Sequence, residues 1–365
     1  MKNIVLFGGA FDPIHNGHIN MAIKASQELE ADVFFIPARV SVWKNESLDI
    51  EHKIKMIELA IKESGREDIL HISRVEADSK EEVNFSYLTV RKFIALYPDS
   101  KLYLLIGTDQ VNSFEQWREA DEIANNTQIV YFSRPRLKLN EDNIERFKMV
   151  EIKGDPVDTS STDIRNLKSL DIPYSVIRYI IDNNLYFVKR LKAYLGEERY
   201  NHSVSVAETA YDIAKSNNLP DLGKYYQTAL LHDLGKAVVI DQQEAFVQAL
   251  YPGYLNLPKP IYHQFVGAKI AKEEFGIEDE DILEAIRFHT TGKANMSPLA
   301  IIVYSADKIE PTRGFDSSDL IQAMKVNYIT GFSIVLKDNR RYYEANMVPY
   351  QNELTNACMK QYILD

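Results

Sequence analysis

The chain has 365 residues, a formal charge of −11, and 45% hydrophobic and 26% charged residues, enough for two or three domains of roughly 150 residues, each with its own core. The negative balance argues against long nucleic acid as a partner, because backbone phosphates need a basic surface. No apolar run approaches the ~20 residues of a membrane span, and a single cysteine, Cys358, leaves no intramolecular disulfide and fits a reducing, cytoplasmic setting.

The run NIVLFGG (3–9) reads as a buried strand, since its apolar core is too short for a signal peptide. Residues 18–29 read as a helix with Ile19, Ala22, Ile23 and Ser26 on one face. A strand at 32–38 and a helix at 51–64 follow, and ILHISRV, LTVRKFIALY, KLYLLIG and TQIVYFSR continue the alternation. This predicts an α/β domain built on a doubly wound, Rossmann-like parallel sheet. Ligands on such sheets bind beyond the carboxyl ends of the strands, where 8–18, 37–44 and 107–117 fall. From about 187 the apolar spacing is three and four residues almost throughout, which predicts an all-α second domain. The boundary is expected between Tyr186 and Arg199, giving domains 1–187 and 188–365.

Six of the eight histidines fall into two constellations. In GGAFDPIHNGH, Gly8 and Gly9 end a strand where backbone amides can approach a phosphate. A helix N-terminus follows, with roughly half a positive charge, and His15 and His18 are spaced to face one ligand. In the second half, His202, His232, Asp233 and Asp307 come from three helices. Two imidazoles and two carboxylates suit a divalent transition metal, and His263 and His289 accompany them.

GGAFDPIHNGH resembles the HxGH signature of the nucleotidylyltransferase superfamily. GTDQVNSFEQW (107–117), DTSSTDIRN (158–166) and NNLY (183–186) resemble segments of bacterial nicotinate-mononucleotide adenylyltransferases, over about residues 1–187. A phosphopantetheine adenylyltransferase usually has Thr where His15 stands. The resemblance implies adenylyl transfer from ATP to nicotinate mononucleotide, giving deamido-NAD and pyrophosphate, with Mg²⁺ accompanying ATP. His15, His18, Lys44 and Arg165 would serve catalysis. Gly8, Gly9, Phe11, Ser86, Asp109, Arg134, Ser161 and Thr162 would bind substrate, and Trp117 would stack on the pyridine ring. Two segments depart from the family pattern: Leu88 replaces an Asp, and the loop before Lys44 reads Ser41-Val42-Trp43.

RYNHSVSVAETA (199–210), HDLGK (232–236), FGIEDEDILEAIRFHTTG (275–292) and SADKIEPTRGF (305–315) resemble the HD-domain superfamily, and within it the bacterial symmetrical diadenosine-tetraphosphate hydrolases. The resemblance implies His202, His232, Asp233 and Asp307 as metal ligands, with iron or another divalent transition metal. Asp233 would also serve catalysis, and Arg199, Lys236, His263, His289, Thr290 and Arg313 would hold substrate. Diadenosine tetraphosphate would be the substrate and ADP the product. A different nucleotide substrate, or a non-catalytic nucleotide-binding regulatory module, is the alternative. Self-association and selectivity between nicotinate and nicotinamide are left open by the sequence.

Overall fold

The computed structural model describes residues 2–39, 48–79, 84–133, 138–154, 159–348 and 351–363. The chain divides into two compact units, one of residues 1–163 and 172–183, the other of 164–171 and 184–365.

The first unit is a six-stranded sheet of β1 (Asn3–Gly9), β2 (Ala31–Pro37), β3 (Leu70–Ile72), β4 (Lys101–Gly107), β5 (Gln128–Phe132) and β6 (Val150–Glu151). Its order is β3-β2-β1-β4-β5-β6, with every pairing parallel. Ile4, Val5, Leu6, Leu105 and Ile106 are all at most 1% exposed, as expected of strands covered on both faces. The covering helices include α1 (Asn16–Leu29), α2 (Ile50–Ser64), α3 (Ser86–Leu96), α4 (Thr108–Ser113), α5 (Ala120–Asn126) and α6 (Glu141–Arg146). Strand order reverses between β1 and β4, which opens a crevice at their carboxyl ends. Gly8 and Gly9 end one strand there and Gly107 ends the other.

The predicted strand at 69–75 shortens to Leu70–Ile72. It is an edge strand with β2 as its neighbour, and beyond it Arg74 turns to pair with Glu51 and Asp78. α7 (Ser161–Arg165) precedes α8 (Tyr174–Asp182). The α8 N-terminus is fixed by Glu63, whose carboxylate accepts from the backbone amides of Tyr174 (2.9 Å) and Ser175 (2.7 Å), where the helix dipole favours negative charge.

The second unit consists of helices: α9 (Phe187–Leu195), α10 (Glu197–Ser216), α11 (Leu222–Leu231), α12 (Ile240–Leu250), α13 (His263–Glu273), α14 (Glu280–Arg287), α15 (Pro298–Ile309), α16 (Ser318–Val326), α17 (Tyr328–Ala345) and α18 (Glu353–Tyr362). α15 is buried almost all round, the pattern of a central helix, and packs against α10, α14 and α17. Residues 164–171, which the sequence pattern leaves in the first domain, belong to this unit. Leu167 and Leu170 bury in it, and the Gln227 amide donates to the Leu167 carbonyl at 2.9 Å. Gly223 permits the contact, since a Cβ there would lie 2.0 Å from the Leu170 carbonyl oxygen. Among the described residues, no helix is long and apolar enough to cross a membrane.

Candidate functional sites

A cavity of about 210 Å³ opens at the carboxyl ends of β1 and β4, lined in part by Gly8, Gly9, Phe11, His15, His18 and Asp109. His15 caps α1, so the helix opens two residues earlier than its apolar period suggests. Its backbone amide donates to His18 Nδ1 at 3.3 Å, and its carbonyl accepts from the backbone amides of His18 and Ile19. The two imidazoles stack, with ring centres 3.6 Å apart. Phe11 takes a left-handed φ of 43° and meets His18 edge-on at 5.0 Å, so the aromatic floor fixes the ring that faces the cavity. Asp109 lies in the first turn of α4, where Gln110 Oε1 accepts from the Gly107 amide at 3.0 Å. The site thus combines strand-end glycines, a helix N-terminus and two converging imidazoles, the parts of an anion cradle.

The remaining expected residues, among those described, do not line this cavity. Ser161 Oγ donates to the Pro13 carbonyl at 2.9 Å, which ties the start of α7 to the histidine loop. Thr162 follows in α7, and Arg165 ends that helix and is grouped with the helical unit. Trp117 is half-buried against Phe114, with ring centres 5.1 Å apart, and is not among the cavity-lining residues. Ser86 begins α3 and is likewise outside the lining. Lys44 and Arg134 lie outside the described residues. His52 and His71 have structural partners, the Tyr179 hydroxyl at 2.7 Å and Asp32 at 3.4 Å.

The second site is a buried cluster that brings together His202, His232, Asp233, His263, His289 and Asp307. Three of its histidines share one anchoring device. His232, His263 and His289 each direct Nδ1 at the carbonyl three residues earlier, on Ala229 (2.6 Å), Pro260 (2.8 Å) and Ile286 (2.7 Å). With Nδ1–H donating there, each Nε2 keeps its lone pair and faces the carboxylates. His202 Nε2 lies 3.2 Å from Asp307, and His232 Nε2 lies 3.6 Å from Asp307 and 3.7 Å from Asp233. His263 and His289 each stand 3.5 Å from Asp233 Oδ1 and 3.1 Å from each other. Three overlapping groups have ligand atoms within 4.8 Å: His202–His232–Asp233, His232–His289–Asp307 and Asp233–His263–His289. Gly235 of the HDLGK segment allows α13 this close, since a Cβ there would sit 2.0 Å from the His263 carbonyl oxygen.

The cluster's electrostatics favour a cation. Burial works against charge on Asp233, yet His232, His289 and His263 hold its pKa well below the usual range. Burial also opposes charge on Asp307, and Lys308 and the histidines outweigh it. Burial keeps His263 and His289 neutral, their pKa values pushed down. His202 Nε2 and His232 Nε2 are buried and make no well-aligned hydrogen bond among the described residues, although carboxylate oxygens approach both. Two neutral imidazoles, ionised carboxylates and further histidine Nε2 atoms converging on one point are a donor set that fits a divalent transition metal, to which His202 would give up its proton.

Arg199 Nη1 pairs with Asp233 at 2.8 Å and Arg313 Nη2 with Asp307 at 2.5 Å, so both guanidiniums border the cluster. Burial lowers the Lys236 pKa, and Thr290 Oγ1 lies 3.1 Å from His263 Nε2. The motif reading assigned no role to Glu310, which is 1% exposed. It contacts His202 Nδ1 at 3.1 Å and accepts from Ser205 Oγ and the Thr312 amide. Burial opposes its charge, but these partners take its pKa to about 2. Asp307 and Glu310 together overcome the burial of His202 and raise that imidazole to about 9. Gln264 also had no assigned role; its side-chain Oε1 accepts from the backbone amides of Thr290 and Thr291 and holds the turn after His289. A carboxylate three positions after Asp307 was the sequence signal for Glu310.

Residues 6–167 match the cytidylyltransferase-like family and residues 199–312 match the HD domain. A Mycoplasma genitalium protein named "probable nicotinate-nucleotide adenylyltransferase/Ap4A hydrolase" is 32% identical over 92% of this chain and 97% of its own. A Mycoplasma pneumoniae protein of the same name is 28% identical over 91% and 98%. A Clostridium acetobutylicum crystal structure, described as a predicted HD superfamily hydrolase involved in NAD metabolism, is 30% identical over 48% of this chain and 94% of that chain, with a TM-score of 0.44. The chain therefore belongs to the family of two-domain proteins, typified by these Mycoplasma relatives, that join a cytidylyltransferase-like domain to an HD domain.

Proposed function

We propose that the chain is a bifunctional cytoplasmic enzyme. Its first half transfers the adenylyl group of ATP to nicotinate mononucleotide, giving deamido-NAD and pyrophosphate. Its second half hydrolyses diadenosine tetraphosphate to two ADP. The observation that carries this reading is the near full-length match to relatives whose name pairs the two activities. The two separate phosphate-competent sites support it.

In the first reaction a phosphate oxygen of the mononucleotide attacks the α-phosphorus of ATP, and the bond to the bridging oxygen of pyrophosphate breaks. Such transfer depends on positioning and charge stabilisation. His15 and His18 donate to the phosphates as charge moves onto the leaving group, and the Gly8–Gly9 backbone lets the nucleotide approach. Ser161, Thr162 and Arg165 take the β- and γ-phosphates, with Lys44 and Arg134 as further phosphate contacts. Ser86, Asp109 and Trp117 hold the acceptor. Mg²⁺ accompanying ATP neutralises part of the triphosphate charge.

In the second reaction water adds to one central phosphorus of the tetraphosphate bridge, and the other ADP leaves with the bridging oxygen. His202, His232, Asp233 and Asp307 would hold a divalent metal, iron by family resemblance, which when bound would supply acidified water and polarise a phosphoryl oxygen. Arg199, Arg313, Lys236 and Thr290 hold the polyphosphate, and His263 and His289 border the leaving group.

One set of assays on the purified chain tests both halves. ATP is offered with nicotinate or nicotinamide mononucleotide, then diadenosine tetraphosphate alone, and products are separated chromatographically. Stripping with a chelator and dialysis into Mg²⁺ leaves dinucleotide synthesis and removes hydrolysis. Hydrolysis that survives in Mg²⁺ alone refutes the transition-metal assignment. Absence of two ADP from the metal-loaded protein refutes the hydrolase reading.

A further inference from the structure

Two cavities of the helical unit meet at Arg313. One, of about 430 Å³, is bordered by Arg199, His202, Glu310 and Thr312. The other, of about 370 Å³, is bordered by Lys308, Phe315, Asp338, Asn339, Tyr342 and Tyr343. The first is polar beside the cluster and brings two guanidiniums, Arg199 and Arg313, that a phosphate chain could use, next to Glu198 and Glu310. The second differs in chemistry: three aromatic rings and an amide–carboxylate pair. We propose that this second cavity is a nucleoside site, which takes the base and ribose at one end of a dinucleoside polyphosphate while the phosphates pass Arg313 to the His–Asp cluster. The proposal rests on reading that cluster as a phosphohydrolase centre.

Four observations support it. Arg313 lines both cavities and touches Asp307, so a ligand reaching from the second cavity to the cluster passes a guanidinium that suits phosphate. Phe315 and Tyr342 are 46% and 60% exposed, and aromatic faces beside a basic groove are what nucleobases stack on. Asp338 lines the cavity and offers an acceptor for an exocyclic amine, while the buried Nδ2 of the neighbouring Asn339 is turned to the Tyr304 hydroxyl. Finally, the two cations of the cavity, Lys308 and Arg313, both stand on Asp307, whereas the rest of the lining is aromatic apart from Asp338 and Asn339, so the phosphates belong at the Asp307 end and the base at the other. Its volume falls in the range of small-molecule pockets, roughly 300–1,000 Å³.

The test uses the full-length, metal-loaded protein with two readouts. In Tyr342→Ala, whose side chain is exposed enough to be removed without opening the core, KM for diadenosine tetraphosphate rises about tenfold, the effect of losing one base stack. The inhibition constant of inorganic tripolyphosphate, which has no base, stays within about twofold. An unchanged KM, or a parallel rise in both constants, overturns the proposal. As an independent readout, an 8-azidoadenosine analogue of the dinucleotide should label the peptide containing 338–343, with protection by diadenosine tetraphosphate and none by tripolyphosphate. Labelling without hydrolysis by the wild-type chain leaves the nucleoside site standing and removes the phosphohydrolase reading. Hydrolysis without labelling does the reverse.

Discussion

The two sites gather charged and polar groups in different ways. At the crevice between β1 and β4, the donors come largely from strand ends, a helix N-terminus and two stacked imidazoles that border an open cavity. In the helical unit, the charged groups are buried, and three of the four imidazoles are locked through Nδ1 to backbone carbonyls. The first arrangement waits for a ligand that brings its own charge and its own counter-ion. The second already faces its ionised Asp233 and Asp307 with Arg199, Arg313, Lys308 and a His202 raised to about 9, while His263 and His289 are held neutral, so a bound metal would take over charge that the fold otherwise balances itself. Loss of metal should therefore separate the two activities, as should single substitutions.

The largest effect is expected from Asp233→Asn. Asp233 borders His202, His232, His263 and His289, so neutralising it leaves four imidazoles without their shared anion. Hydrolysis should fall to background and metal content measured by atomic emission should collapse, while dinucleotide synthesis is unchanged. If synthesis fell as well in a protein that still melts cooperatively, independent sites would be the wrong picture. His18→Ala gives the mirror result. Removing one preorganised donor to a developing charge typically costs ~10²–10³ in rate. Synthesis should drop by that amount, seen mainly in kcat, with hydrolysis and metal content intact.

A smaller and more specific effect is expected at Glu310. It contacts His202 Nδ1 and is pinned by Ser205 and Thr312, so on the proposed function it would position a metal ligand without being one. Partners of this kind are typically worth 10–100-fold in metal affinity. Glu310→Gln should weaken metal binding by about that factor in a chelator-competition titration, with kcat restored at saturating metal. A kcat that stays low at saturating metal would mean Glu310 acts on substrate instead.

How much of this was legible beforehand differs between the halves for a physical reason. The α/β order and the crevice could be read from alternating apolar runs, because parallel strands buried on both faces are continuous and short. The histidine loop was legible because strand-end glycines and a helix start are local features. The six residues of the cluster were legible individually, but the sequence sorted them into four metal ligands and two phosphate contacts. In the structure His263 and His289 stand as close to Asp233 as His232 does, and distances across helices cannot be read from spacing. The assignment of residues 164–171 to the helical unit was hidden for the same reason. It depends on Leu167, Leu170 and the close approach at Gly223, contacts more than fifty residues apart in the chain.

The smallest predicted effect concerns Trp117, which packs on the core and, on the proposed function, also stacks on the acceptor. One side of the indole rests on Phe114 and the sheet core, and the residue is only half-buried, which leaves aromatic surface for a pyridine ring. Trp117→Leu keeps apolar volume against Phe114 and removes the stacking face. An aromatic pair is worth about 0.5–1.5 kcal/mol beyond area burial, so KM for nicotinate mononucleotide should rise roughly two- to twelvefold. KM for ATP and the hydrolase activity should not move. A variant with a lowered melting temperature and both KM values unchanged would make Trp117 a packing residue and shift acceptor recognition to Asp109 and its neighbours at the end of β4. A rise in KM for ATP would instead show that the indole shapes the nucleotide end of the crevice, where Gly107 and His18 line the same cavity.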